Sequence, residues 1–587
     1  MRYAKFGHLA FLALTLGSAL LSPAPLPGQT PPATPSPASA DQAFTQLVDR
    51  YLDGLFHFDP ANATAAGLHQ YDTELPAYSR AEIAAEITRS KKTLAELSAI
   101  PKESLTRENR FDAVLLENSL RSRLLELENI RMWEKDPDFY NGIISRALFG
   151  LIQRDFAPLD ERLKSIVARE RKVPEVLQSA RANLLNPPAI YTKIAILQVA
   201  SEIGFLEEDL PRAIAGSRNA ALKAEFAQVN QRVIGEYQKF LEYLKTDLAP
   251  RSRGNFAVGA ESYRQKLLYE EMVDIPPDRL LRIGEVALRQ TQEHFKATAA
   301  LLDPAQPPAA VLAQLSQDHP AAEALIPETQ AGLEDLRRFV SSHQIVTIPS
   351  AENPRVVETP AFMRVLTFAS MDSPGPFEET STEAFYNVTL PERDWNETQK
   401  EEHLRAFSRN SLRVTSIHEV FPGHYTQFLW VNRAPTKLRK LLGSGTNAEG
   451  WAHYAEQMML EEGYGEGDPK LLLSQLHEAL LRLCRYLVGI RMHTRGMTLE
   501  EGIVFFEREG YQERANAERE AMRGTSDPTY LVYSLGKLQL HKLREDYRKK
   551  VGDKFNLKEF HDRFLSFGWP AIKLIREEML GDGSPTL

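Results

Sequence analysis

The sequence HEVFPGH at residues 418–424 places two histidines on either side of a glutamate. A second motif, NAEGWAHY, follows downstream and contains Glu449. Zinc hydrolases bind their ion through three side chains of this kind, keep one position open for water, and place a carboxylate beside it. The two motifs therefore predict a metal site with His418, His424 and Glu449 as ligands, and with Glu419 beside the water. A chance cluster on a solvated helix is the alternative, because the chain has 14 histidines.

The spacing of the two histidines is an obstacle to this prediction. In the usual helical motif H-E-x-x-H, residues four apart share one face of a helix. Here the histidines are six apart, and a regular helix would leave their side chains roughly 120° apart. Pro422 lacks the N–H that would bond the carbonyl of His418 in a continuing helix, and Gly423 tolerates unusual backbone angles. We therefore expect the helix to open at Pro422-Gly423 and to bring His424 back beside His418.

The pattern H-E-x-x-P-G-H followed by E-G-W-A-x-Y resembles the signature of a large bacterial family, domain of unknown function 885. That family is grouped with the glutamate-ligand zinc metallopeptidases. The resemblance extends to DPANATAAG at residues 59–67 and GAESY at residues 259–263. It implies a Zn²⁺ cofactor, and it strengthens the assignment of Glu449 as the third ligand. Glu419 is then expected to be the general base, which takes a proton from water and passes it to the leaving amine.

Two residues on the predicted helix of Glu449 are candidates for supporting the ligands. His453 and Glu456 lie four and seven residues after Glu449, so all three share one helix face. Side chains in such positions orient metal ligands through hydrogen bonds. For His453, ordinary packing is the alternative, because the family motif leaves that position variable.

The segment from Arg523 to Lys537 resembles a further element of the family, with an arginine, a proline, a tyrosine and Gly-Lys. A tetrahedral intermediate needs a hydrogen-bond donor for its oxyanion, and enzymes of this class often supply a tyrosine or histidine from downstream. Tyr533 is the candidate donor. Arg523 is a candidate for holding a substrate carboxylate through a bidentate pair. Packing of the tyrosine and surface exposure of the arginine are the alternatives.

The N-terminus has the pattern of an export signal. Arg2 and Lys5 precede an apolar run that is too short for a membrane span of about 20 residues. A linker rich in Pro, Ala, Ser and Thr follows, so residues 1–40 are expected to be signal peptide and linker. Cys484, the only cysteine, lies far from the run, so a lipoprotein anchor is not expected. We expect an exported protein, periplasmic or secreted, without a stable membrane span after signal removal.

The remainder of the chain predicts a mainly α-helical fold. Apolar residues recur at helical spacing through most of the sequence, which is 43% hydrophobic and 25% charged. We expect one large metallopeptidase-like domain at residues 41–587. A helical N-terminal half at residues 41–340 would precede a catalytic half at residues 341–587. The capping signals predict Asn447 as the N-cap of the helix carrying Glu449.

Short runs of β-branched and apolar residues begin near Ile345 and predict a small sheet next to the metal-binding helix. The class of metallopeptidases implied by the resemblance has a substrate-binding edge strand at this place. Phe385–Val388 is the candidate, because an extended peptide can add to a free strand edge, and Tyr386 would then contact substrate. A structural hairpin is the alternative. Further on, Asp527 followed by proline is expected to begin a helix.

These patterns favour an exported zinc-dependent hydrolase, most readily a metallopeptidase that cleaves short peptides. The alternatives are a zinc hydrolase of non-peptide amides or esters, and a metal-binding scaffold without catalysis, although the presence of Glu419 counts against a scaffold. The net charge of −9 and the lack of a basic block give no indication of nucleic acid as a partner. The oligomeric state is not indicated.

Overall fold

The computed structural model describes residues 37–360, 363–364 and 367–587. The predicted signal peptide and most of the linker lie outside these residues. The described chain is mainly α-helical and has one small sheet, which confirms the predicted fold class. The first helix begins at Pro37. Its residue Ala40 is buried in a hydrophobic cluster with residues of the following helices.

The N-terminal half consists of helices that pack around an apolar core. They are α1 (Pro37–Phe58), α2 (Pro60–Ala65), α3 (Arg80–Ser98), α4 (Arg107–Leu124), α5 (Met132–Lys135), α6 (Pro137–Phe149), α7 (Leu159–Glu170), α8 (Val173–Asn183), α9 (Ala189–Gly204), α10 (Leu210–Ile214), α11 (Ala220–Tyr243), α12 (Ala249–Arg251), α13 (Ala260–Glu271), α14 (Pro277–Leu302), α15 (Pro308–Leu315) and α16 (Ala322–Ser342). Local capping explains where some of them begin. Ser79, for example, accepts from the backbone N–H of Glu82, whose carboxylate accepts from the N–H of Ser79 at 2.8 Å.

One helical stretch, Ala189–Ile214, is apolar and long enough by composition to cross a membrane. It comprises α9, a π-helical turn and α10. In this structure it packs against α6 and α11 in the core of the N-terminal half. Core helices of this kind pass the same test of length and hydropathy.

The C-terminal half contains the sheet and a second group of helices. The strands are β1 (Arg355–Glu358), β2 (Ala369–Asp372) and β3 (Phe385–Val388), and the helices are α17 (Glu397–Arg405), α18 (Arg409–Glu419), α19 (His424–Val431), α20 (Lys437–Leu441), α21 (Gly445–Glu461), α22 (Pro469–Arg495), α23 (Leu499–Gly510), α24 (Arg514–Ser526), α25 (Val532–Val551), α26 (Leu557–Leu565) and α27 (Ile572–Leu580). The expected start of a helix at Asp527 is wrong. Asp527 follows the last residue of α24, and the next helix begins only at Val532. Pro528 cannot continue α24, so the chain turns there.

The prediction that Phe385–Val388 is an edge strand is also wrong. The strand order is β1-β3-β2, so β3 is central: it pairs parallel with β1 and antiparallel with β2. Both of its backbone edges are occupied, and Tyr386 is fully buried with its hydroxyl 3.4 Å from Ser416 Oγ. The predicted contact of Tyr386 with substrate is therefore excluded in this conformation. The run expected to be a strand at residues 362–368 lies partly outside the described residues, and β2 follows it.

Helix α22 is the central element of the C-terminal half. It is 27 residues long, is buried along most of its length, and contacts α14, α18, α23, α24 and α25. A hydrophobic cluster shared by α13, α14 and α22 joins the two halves across residue 340. Helices α18, α21 and α25 all pack against α22.

Helices α21 and α25 cross unusually closely. A Cβ on Gly450 would lie 2.5 Å from the Cα of Gly536, and a Cβ on Gly536 would lie 2.0 Å from the carbonyl oxygen of Thr446. Only two glycines permit this approach of the two backbones. The crossing brings Glu449, next to Gly450, close to Tyr533, which lies one turn before Gly536.

Candidate active site

The predicted break between the two histidines is present. Helix α18 ends at Glu419 and α19 begins at His424, so the histidines lie on different helices. The N–H of Gly423 donates to the carbonyl of Ile417 at 3.0 Å, and the Trp451 indole donates to the carbonyl of Pro422 at 2.9 Å. A Cβ on Gly423 would lie 1.7 Å from the carbonyl oxygen of His418, so this position requires glycine.

The break brings His418, His424 and Glu449 together at the base of a cleft. One ligand atom from each lies within 4.8 Å of the other two. Glu449 Oε2 is 3.4 Å from His418 Nε2 and 3.3 Å from His424 Nε2. Atoms that each lie 2.0–2.2 Å from a tetrahedral zinc ion are roughly 3.3–3.6 Å apart. Oε2 of Glu449 is buried and forms no well-aligned hydrogen bond with any described residue, as expected of an atom that faces a cation site. The three side chains therefore have the donor types and the spacing to hold zinc.

Glu449 reaches this position from a helix that begins earlier than predicted. The N-cap of α21 is Ser444, whose side chain accepts from the N–H of Asn447. The prediction of Asn447 as N-cap is wrong: Asn447 lies in the first turn of α21, its Oδ1 accepts from Gln427 Nε2 at 3.0 Å, and its amide donates to the carbonyl of Pro570 at 2.7 Å. Glu271 accepts from the first two N–H groups of α21 and completes the helix start.

The charge state of Glu449 suits a metal ligand. Burial by itself would raise its pKa. Electrostatic attraction to His424 and the close contacts with both imidazoles hold the pKa well below its usual range. Glu449 is thus ionised at neutral pH, which is the form that coordinates a metal.

Glu456 fixes the orientation of His418 from behind. Its Oε1 lies 2.7 Å from His418 Nδ1, so His418 turns Nε2 toward the cleft. Oε1 also pairs with Arg482 at 3.1 Å, and Oε2 lies 3.1 Å from His453 Nδ1. Burial and the charge of Arg482 lower the pKa of His418, but hydrogen bonds with Glu449 and Glu456 outweigh them and raise it to about 9.

The two residues predicted to support the ligands therefore lie in one buried network. Glu456 contacts a candidate ligand directly, whereas the ring of His453 forms its hydrogen bond with Glu456. Arg482 was missed from the sequence, because it is one of four arginines on α22 and no motif distinguishes it from the others. His424 has no comparable support: its Nδ1 lacks a partner among the described residues, and its ring stacks on Phe428.

Glu419 and Tyr533 lie on the same cleft as the three candidate ligands. Glu419 forms no hydrogen bond or ion pair with any residue in the described part of the chain, which leaves its carboxylate free to accept a proton. The Tyr533 ring stacks near the His418 ring, with centroids 6.2 Å apart. Burial raises the pKa of Tyr533, so its hydroxyl stays protonated and can donate.

Arg523 lies beside Tyr533 rather than free in the cleft. Its Nη2 donates to the Tyr533 hydroxyl at 3.1 Å and to Asp527 Oδ2 at 3.2 Å. Arg523 and Tyr533 are ten residues apart in the chain, and the turn between α24 and α25 brings their side chains together. Arg523 is thus well placed to orient the hydroxyl of Tyr533.

The cleft has a volume of about 1060 Å³, enough for a short peptide. The edge strand beside it is β2, because Ala369, Ser370 and Met371 line the cleft whereas β3 is covered. Sequence reasoning also missed the arginines and glutamates of α22 and α24 in its walls, among them Arg485 and Glu520, which form a bidentate pair at 2.6 and 2.7 Å.

Comparison with solved structures and sequence families places this architecture among known proteins. Two solved structures, from Shewanella oneidensis and Colwellia psychrerythraea, are each described as that of a "putative lipoprotein", the first of unknown function. The Shewanella protein is 29% identical with a TM-score of 0.76, and the Colwellia protein is 18% identical with a TM-score of 0.79. Each comparison covers 92% of this chain and 99% of the other. No curated protein matches the chain.

The sequence profile described as "Bacterial protein of unknown function (DUF885)" matches residues 60–579, which include every candidate site residue discussed above. The chain therefore belongs to the DUF885 family of bacterial proteins.

Proposed function

We propose that this protein is an exported zinc-dependent hydrolase, and specifically a metallopeptidase that cleaves short peptides. The observation that carries the proposal is the convergence of His418, His424 and Glu449 at distances suited to tetrahedral zinc, with the free carboxylate of Glu419 on the same cleft. When bound, zinc would lower the pKa of a water molecule to about 7 and polarise a substrate carbonyl.

The protein side chains have distinct roles in this proposal. Glu419 accepts the proton of the attacking water and delivers it to the nitrogen of the leaving amine. Tyr533 donates a hydrogen bond to the carbonyl oxygen as negative charge develops there. Arg523 is a positioning residue, because it donates to the Tyr533 hydroxyl. Glu456 keeps His418 in the orientation that a metal needs.

The cleft supports a peptide as the proposed substrate. A free edge on β2 offers backbone N–H and C=O groups to an extended chain, which suits a peptide better than a compact ester. The signal-like N-terminus supports export, as does the description of two structural relatives as lipoproteins. The cellular compartment is therefore proposed to be outside the cytoplasm.

A peptide library tests the proposal. Zinc-loaded wild-type protein, Glu419→Gln and a matched control, Glu402→Gln, are incubated with mixed tetrapeptides, and products are identified by mass spectrometry. Glu402 also lines the cleft and has no assigned role in the chemistry. We expect wild type and the control to cleave the same peptides, and Glu419→Gln to be slower by about 10²–10⁴-fold while it retains zinc.

Two results would contradict this assignment. Full activity of Glu419→Gln on every peptide would exclude Glu419 as the base. Hydrolysis of ester or non-peptide amide probes without cleavage of any peptide would replace the metallopeptidase with a hydrolase of another substrate class.

A further inference from the structure

Five arginines line the described part of the cleft, and four of them are neutralised by carboxylates. The pairs are Arg405 with Glu401, Arg482 with Glu456 and Glu478, Arg485 with Glu520, and Arg523 with Asp527. The fifth, Arg519, has no hydrogen-bond or ion-pair partner among residues 37–360, 363–364 and 367–587. A cationic side chain in the wall of a cleft is thus left for a ligand.

The surroundings of Arg519 resemble a prepared anion site. Its guanidinium carbon lies 4.2 Å from the centroid of the Phe368 ring, which fixes the plane of the group. Its Nη1 is buried without a hydrogen-bond partner. Burial also lowers its pKa, which shows that the charge is poorly solvated. An unpaired, partly desolvated guanidinium is costly for the protein unless an anion binds it.

Arg519 lies along the cleft from the candidate metal ligands. It precedes Arg523 by one turn of α24, so both side chains share one helix face. Arg523 contacts the Tyr533 hydroxyl, and the Tyr533 ring stacks near His418. One helical turn rises 5.4 Å, the length of roughly one to two residues of extended peptide.

The strand edge gives the direction of a bound peptide. Phe368, which contacts Arg519, immediately precedes β2, so Arg519 lies at the start of that strand. A peptide that pairs antiparallel with β2 has its C-terminus at the start of the strand. Its terminal carboxylate would then meet the guanidinium of Arg519, which can bind both carboxylate oxygens.

We propose that Arg519, stacked on Phe368, binds the C-terminal carboxylate of the substrate, and that the enzyme is a C-terminal exopeptidase releasing a short fragment from that end. This inference rests on the proposed function. The reaction is a hydrolysis: the peptide C–N bond breaks, a C–O bond forms from water, and the water proton passes to the leaving amine.

The test compares peptides that differ only at their C-terminus. N-acetylated tetrapeptides are prepared as free acids and as C-terminal amides, and kcat/KM is measured for wild type, Arg519→Gln and Arg514→Gln. Arg514 is a matched control on the same helix, because it pairs with Glu500 and Glu518. We expect wild type to prefer acids by about 10- to 100-fold, Arg519→Gln to lose that preference through slower cleavage of the acids alone, and Arg514→Gln to retain it.

Binding gives a second readout that does not need turnover. Calorimetry of Glu419→Gln protein should show tighter binding of the acid peptide than of its amide, and Arg519→Gln in that background should abolish the difference. Equal cleavage of acids and amides by wild type overturns this proposal while the proposed function stands. An equal loss on both forms in Arg519→Gln also overturns it, since a structural role would act on both. If zinc-loaded wild type cleaves neither form, the proposed function fails and this inference fails with it.

Discussion

Replacing Gly423 with alanine tests whether the helix break assembles the site. The added Cβ would lie 1.7 Å from the carbonyl oxygen of His418 and 2.4 Å from that of Ile417. Ordinary contacts of this type are not shorter than about 3 Å, so the backbone must move by more than about 1 Å. This movement would displace two candidate ligands. His418 carries the carbonyl that the Cβ meets, and His424 is the residue directly after Gly423.

The expected loss of metal binding is large. Metal–ligand distances hold within about 0.2 Å, so a shift of about 1 Å in either histidine separates it from the other ligands. We expect Gly423→Ala to bind zinc at least about 100-fold more weakly and to lose about 1–3 kcal/mol of stability through overpacking. Zinc affinity is measured by competition with a chromophoric chelator, and stability by thermal unfolding.

Gly332→Ala is the matched control. Gly332 lies within α16, and a Cβ there would have nothing within 4 Å. This variant should bind zinc as wild type does and gain about 0.5–1 kcal/mol from the helix propensity of alanine. Wild-type zinc affinity together with wild-type stability in Gly423→Ala would refute the argument that this close contact sets the positions of the histidines.

Three further substitutions test separate parts of the account. Glu456→Gln should weaken zinc binding by about 10- to 100-fold because His418 loses its charged partner; an unchanged chelator titration would contradict this. Tyr533→Phe should lower kcat by about 10²-fold or more with little change in KM, and unchanged kcat on cleaved peptides would exclude the hydroxyl as a donor. Glu170 has two buried carboxylate oxygens that lack a hydrogen-bond partner within the described residues, and burial raises its pKa to about 9. The folded state therefore holds its proton more tightly than the unfolded state, and stability should fall as pH rises from about 4.5 to about 9. Glu170→Gln should lessen that fall in unfolding temperature, and parallel curves for variant and wild type would exclude this source.

Part of the site could be predicted from the sequence because it depends on the chemistry of neighbouring residues. Pro422 lacks an N–H and Gly423 lacks a side chain, so a helix break could be predicted from those two residues. The motif around Glu449 likewise predicted which carboxylate would meet the histidines. The mainly helical fold could also be predicted, because the recurrence of apolar residues at helical spacing is a local pattern that extends over only a few helical turns.

Errors and omissions arose where distant parts of the chain decide the outcome. The central position of β3 depends on its parallel pairing with β1, about thirty residues earlier, which no local pattern encodes. Asn447 has the chemistry of an N-cap, but its side-chain oxygen accepts from Gln427 and its amide donates to the carbonyl of Pro570, which is more than one hundred residues away in the chain. Arg482 and Arg519 each lie on a helix with several arginines, and only packing shows that Arg482 pairs with Glu456 while the side chain of Arg519 has no hydrogen-bond or ion-pair partner in the described chain.

The most direct test of the central claim is the zinc content of purified protein after reconstitution, measured by elemental analysis for wild type and for His418→Ala and Glu449→Gln. The account predicts one zinc ion per wild-type chain and substantial loss of zinc in both variants, because each removes one of three converging ligands. Absence of zinc from the wild type, or an equal content in all three proteins, would contradict it.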